Sequence, residues 1–246
     1  MNAVIAEVRK VFAGQLWWAF LLVGVGLSAI TIVAITPDHV TAVQSGAGTV
    51  RAALDDATRY WMTVYLACGC LVAYLVAGEF TDGQMQRSVL LHRLSRGAVL
   101  GSKFAAALVV SAAFGLVAAL LAWFTPPLVL PLFGLNVAGT GVDLEIVAGV
   151  FGVNLLAGVW GFALGVLLRN PVVAVGLFAV QTLLLETYGA KALPEVGQYL
   201  LTSALGSLYK DPSVLSMAVL PALGIALAWV GAATVGAVGT FRARDV

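Results

Sequence analysis

Glu79, Asp82, Arg87, His92, Arg93, Arg96 and Lys103 crowd into the segment from Gly78 to Lys103 of a chain in which only 10% of residues are charged. Groups of these types at this density do electrostatic work: they cap helix ends, pair with one another and grip a partner surface. The flanking stretches, Tyr60 to Gly78 and Phe104 to Val142, contain no Asp, Glu, Lys or Arg. Both flanks can enter hydrocarbon while the segment between them cannot. The charge pattern alone makes this segment either a docking surface on one side of a membrane or a solvated linker.

Other chemistry is poorly supplied. His39 and His92 fall on opposite sides of the span arrangement derived below, so neither a Ser/His pair nor a zinc-type His-x-x-x-His group can form. The phosphate-cradling pattern, four residues between a Gly and Gly-Lys-Ser/Thr, is missing. Its nearest approach, Gly97 followed by Gly101-Ser102-Lys103, has the wrong spacing. Cys68 and Cys70 are two apart within a span, point to different helix faces, and read as small apolar residues rather than metal or redox ligands. An intramembrane enzyme is thus one competing class, and a scaffold recruiting a cytoplasmic partner is another.

The elements that position the charged segment follow from composition. With 61% apolar residues and a mean hydropathy of +1.01, the chain reads as an all-α integral membrane protein with one transmembrane domain over residues 1–246. A bilayer core of about 30 Å takes roughly 20 helical residues. Six runs fit: 16–35, 60–78, 98–124, 146–168, 172–187 and 214–241. Alternating short strands of a barrel are not seen. The first run follows Arg9 and Lys10, but at about 20 residues it exceeds a signal-peptide core.

Six spans put both termini on one side. That side carries Arg9, Lys10, Arg87, Arg93, Arg96, Lys103, Arg169, Arg242 and Arg244, against Arg51, Arg59, Lys191 and Lys210 opposite. Nine against four places both termini in the cytoplasm. Trp17, Trp18, Tyr60, Trp61, Trp123 and Phe124 fall at span ends, and Trp160 and Trp229 lie deeper, in helix packing. Arg169-Asn170-Pro171 joins spans four and five as antiparallel neighbours. Gly161 and Gly165 form a small-xxx-small pair, and Gly231, Gly236 and Gly239 thin the sixth span for close approach. Pro37 starts the first outer loop, where 50–58 can hold a short helix, and Pro126, Pro127 and Pro131 stiffen the second.

Within residues 1–15, Val4, Ile5, Val8, Val11 and Phe12 share an arc opposite Arg9 and Lys10. This is an interfacial helix or, failing lipid, a frayed tail. Thr81 with Gln84 fits a capping box for a short helix from about Asp82 to Leu94, which Ser95, Arg96 and Gly97 would end. Among polar groups in the spans, Asn154 and Gln181 serve interhelical hydrogen bonds or substrate contact, and Glu186 sits in the outer headgroup region or at a gate. These three are the candidate pathway residues.

The run Gly78-Glu79-Phe80-Thr81-Asp82-Gly83, then Gln86-Arg87-Ser88-Val89-Leu90-Leu91, Arg93-Leu94-Ser95-Arg96 and Lys103, resembles the segment after the second span of ABC-2 type permeases, the membrane subunits of ATP-binding cassette transporters. Glu7-Val8-Arg9-Lys10 resembles their amphipathic entry helix. Leu193-Pro194-Glu195 through Tyr199-Leu200 to Ala204-Leu205 resembles their re-entrant segment between spans five and six, here 188–213. The chain departs from the usual pattern at Gln84, where relatives often carry threonine, and at Leu200-Leu201, where they carry Leu-Pro.

The resemblance implies that 79–97 is a cytoplasmic coupling loop whose helix docks on a separate nucleotide-binding ATPase subunit. Gly78, Glu79, Phe80, Gly83, Arg87, Leu90, Arg93, Arg96 and Lys103 would transmit its closure, with Glu79 at the hinge; pairing with Arg87 or Arg93 would fix the angle there, unless Glu79 is a plain solvated anchor. ATP and Mg would be held by that partner, with no cofactor on this chain. A second permease subunit and the bilayer are the other partners, and no nucleic acid is expected. The cargo implied is a hydrophobic or amphipathic compound exported across a bacterial cytoplasmic membrane. Alanine, valine and glycine richness fits a GC-rich bacterial source.

Overall fold

The computed structural model describes residues 3–83, 85, 95–214 and 217–243. Among the described residues every regular element is helical. Helix α1 (Ala3–Ala13) leads through an elbow into α2 (Leu16–Gln44). At the elbow the Trp17 indole donates to the Phe12 carbonyl at 3.0 Å, and the two rings meet edge to face. The short α3 (Val50–Arg59) continues through a tight turn into α4 (Val64–Thr81). Then come α5 (Arg96–Val129) and α6 (Leu144–Leu168). The chain ends with α7 (Pro171–Val180), α8 (Glu186–Ala192), α9 (Pro194–Gly197), α10 (Leu201–Leu208) and α11 (Val219–Ala243). Six helical stretches are long and apolar enough to cross a membrane, which makes this a multi-pass membrane protein.

Helices cover each of the six expected runs, with different ends. Helix α2 passes Pro37 instead of stopping there, and α5 passes Pro126 and Pro127. Proline removes one N–H, and a packed membrane-length helix tolerates that loss. Thr36 and Thr41 donate to the Ile32 and Pro37 carbonyls, and Thr125 donates to Leu121. Trp123 and Phe124 fall inside a helix that runs on to Val129. Trp61 is buried within the protein.

Helix α6 is the axis of the bundle, with 72% of its most apolar stretch buried, against 17–22% for the first, fifth and sixth spans. Its burial depends on glycine. A Cβ at Gly161 would overlap the Gly69 carbonyl of α4, and one at Gly158 would overlap the Ser111 hydroxyl of α5. At Gly165 a Cβ would stand 3.0 Å from the Ala73 carbonyl. The small-xxx-small pair thus sets the approach of α6 to α4. Gly231, Gly236 and Gly239 have nothing within 4 Å of a would-be Cβ, so the close approach expected in the sixth span is not made.

Both turns between spans at the end carrying the termini are chemically defined. Arg169 takes φ +54 to end α6, and Asn170 Oδ1 accepts from the Val172 and Val173 amides to start α7, with Pro171 in the first turn. At α4 the outcome differs from the capping-box expectation. Thr81 belongs to the last turn of α4, where its hydroxyl donates to the Gly78 carbonyl; Asp82 is the C-cap and Gly83 has φ +67. Ser95 opens α5 by accepting from the Ala98 amide. The helix expected over 82–94 lies almost wholly outside the described residues.

Candidate functional site

At the end carrying the termini, four charged side chains from three helices meet. Lys103, about two turns into α5, has a side chain only 4% exposed. It pairs with Glu79 of α4 and, at 2.9 Å, with Glu7 of α1. Lys10, also of α1, completes the group at 2.6 Å from Glu79 Oε1. An ammonium buried among apolar residues needs neutralising, and two carboxylates with a second ammonium give a balanced cluster. A cavity of about 40 Å³ beside it, lined by Glu7, Glu79 and Lys103 among apolar neighbours, is wide enough for ordered water.

Glu7 and Lys10 are the residues that sequence reasoning missed as site members. Their spacing of three on α1 puts both on one face, which was the available signal. The wheel instead set Lys10 apart with Arg9. Glu79, read as a partner for Arg87 or Arg93, is held by Lys103 and Lys10 among the described residues.

Other expected coupling residues gather around this cluster. Phe80 packs edge to face on Phe241 of α11, 6.1 Å between centroids, and the Arg169 guanidinium lies 4.9 Å above its ring. Arg96 donates to the Arg242 carbonyl at 3.4 Å. Gly78 leaves open space and Gly83 supplies the left-handed turn. Arg87, Leu90 and Arg93 lie outside the described residues. Hence the stretch 84–94 is suspended between Gly83, after the Glu79 end of α4, and Ser95, before the Lys103 end of α5.

The three expected pathway residues do not form one group. Asn154 is fully buried in α6, and its amide donates to the Val150 carbonyl of its own helix at 2.9 Å. Gln181 and Glu186 meet at the far end of the bundle. Between them, Gln181–Leu185 forms a turn of π-helix. Residues five apart on a regular helix point about 140° apart. The wider turn lets the Gln181 amide reach Glu186 Oε1 at 2.5 Å. Glu186 Oε2 accepts from the Thr202 amide of α10. The carboxylate is thereby buried within protein and ties α8 to α10.

A second ionic group stands at that same end. Lys210 pairs with Asp143 at 3.0 Å and Glu145 at 2.7 Å, while Arg51 reaches Asp143 at 3.7 Å and Asp55 at 3.0 Å. Hydrogen bonds from Lys210 and the Glu145 amide hold the Asp143 carboxyl below the usual carboxylate range although partial burial opposes them; hydrogen bonds to Glu145 and Asp143 raise Lys210. His39, expected to stand alone beside Asp38, faces Asp56 at 3.6 Å.

No family model, curated protein or solved structure matches this chain.

Proposed function

We propose that this chain is the membrane-spanning permease subunit of an ATP-binding cassette transporter of the ABC-2 type, working as a dimer beside a separate ATPase subunit in a bacterial cytoplasmic membrane. Both termini face the cytoplasm, α1 lies in the membrane interface, and the α8–α10 segment is the re-entrant element of the outer side. The cargo is a hydrophobic or amphipathic compound moved outward.

One observation supports the reading most. The Glu79–Lys103–Glu7–Lys10 cluster fastens the facing ends of α4 and α5 to α1, so residues 84–94 are carried on a stiff mount. A push on such a segment turns α4 and α5 together rather than bending a loose loop. Coupling by rigid elements with two arrangements is what alternating access requires. A loop with no mechanical task gains nothing from a buried lysine at its root.

Tagging the chain in its native host and purifying it in mild detergent tests the proposal. An ATPase carrying phosphate-cradling motifs should co-purify, and should be lost when Arg87, Leu90 and Arg93 are replaced. Absence of any ATPase across several detergents would overturn it in favour of a scaffold.

A further inference from the structure

At the far end of the bundle, α4, the π-turn, α8 and α10 enclose a cavity of about 600 Å³. That volume lies within the roughly 300–1,000 Å³ of small-molecule sites. Its walls are largely apolar and aromatic, with Leu66, Tyr65 and Tyr209 among them, and two carboxylates, Glu186 and Asp211, border it. Glu186 is only 7% exposed. Its two oxygens are held by neutral donors, the Gln181 amide and the Thr202 N–H. Among the described side chains, of which that of Lys191 is not one, no lysine or arginine pairs with it. Arg59, which donates to the Tyr209 carbonyl at 3.3 Å, is engaged by Asp56.

A carboxylate taken out of water without a counter-charge is costly, and neutral hydrogen bonds recover only part of that cost. The π-turn that aims Gln181 at Glu186 forfeits regular helix bonding, a departure that recurs at functional sites. We infer that this cavity binds the head of a lipophilic organic cation, with Glu186 as the counter-charge and Tyr65 and Tyr209 as aromatic walls. A quaternary or delocalised cation suits it, because the apolar lining replaces its weak hydration shell and aromatic faces attract the charge. As a statement about cargo this rests on the permease reading; as a statement about binding it stands on the cavity alone.

Equilibrium dialysis of the purified full chain against radiolabelled tetraphenylphosphonium tests it, with tetraphenylborate as a probe of the same shape and opposite charge. Saturable binding of the cation and none of the anion is expected, with affinity falling at least about tenfold in Glu186→Gln and surviving in Glu186→Asp. The glutamine keeps an acceptor for the Thr202 amide, so loss of charge is isolated from loss of fold. Equal binding of both probes to the wild type, or an unchanged affinity in Glu186→Gln, would overturn the proposal. Cation binding without any co-purifying ATPase would leave the cavity standing and remove the transporter reading; an ATPase partner without cation binding would do the reverse.

Discussion

Glu79 and Glu186 lie toward opposite ends of the bundle, and each is a carboxylate shielded from solvent, yet they are held in contrasting ways. Glu79 has two ammonium partners and shares one of them with Glu7, so the four charges of its cluster sum to zero. Glu186 has an amide and a backbone N–H, so its charge stays unbalanced among the described residues. A balanced buried cluster fixes geometry, since any one member leaves an uncompensated partner when removed. An unbalanced one keeps an attraction in reserve for something that arrives. The difference assigns mechanical work to the first end and recognition to the second.

The contrast breaks most visibly at Lys103. Lys103→Met should lower stability by about 3–5 kcal/mol, because Glu7 and Glu79 are left facing each other without their shared ammonium. Thermal unfolding in detergent measures this, and Glu79→Gln added to the same variant should restore part of the loss. A variant as stable as the wild type would show that the cluster carries no mechanical constraint.

Glu79→Ala comes next. Lys103 keeps Glu7 as a partner, so the cost in stability is smaller, about 1–3 kcal/mol, and insertion into the membrane is retained. ATP hydrolysis by the partner subunit should continue while transport falls away. Normal coupled transport in reconstituted vesicles would remove Glu79 from the hinge.

Glu186→Gln should behave oppositely, changing stability by less than about 1 kcal/mol, since an amide oxygen still accepts from Thr202. A large loss in the same unfolding assay would mean that the charge itself organises the fold, and the distinction between the two ends would fail.

The six spans were legible because hydrocarbon forbids charge, so runs free of Asp, Glu, Lys and Arg mark themselves. The boundaries were less so. Pro37, Pro126 and Pro127 looked like stops, but each sits inside a continuing helix, since a packed membrane-length helix tolerates the loss of a backbone bond, and this is a tertiary judgement rather than a propensity. Glu79 and Lys103 were visible as site residues through their position beside apolar runs. Their mutual pairing was not, because it joins groups 24 positions apart through two helix ends that only the fold brings together. Glu7 and Lys10 were hidden by greater distances still, 96 and 69 positions from their partners. The π-turn at Gln181–Leu185 has no composition of its own, and only the reach from Gln181 to Glu186 reveals it.

The smallest effect concerns the ionic group on the surface near Glu186. Asp143 has its carboxyl lowered below 3.8, so its contribution is present above the ordinary carboxylate range and is lost as pH falls through the lowered value. Lys210 is raised above 10.5, so its contribution is present below that and is lost as pH rises through the raised value. Between these limits the pairing of Lys210 with Asp143 is insensitive to pH. Unfolding midpoints in detergent should therefore stay flat from mildly acidic to mildly alkaline conditions. Asp143→Asn should lower the plateau slightly and weaken the acid-side decline, because the group whose protonation drives part of it is gone. An acid decline of undiminished steepness in that variant would move the titrating group away from this ionic group.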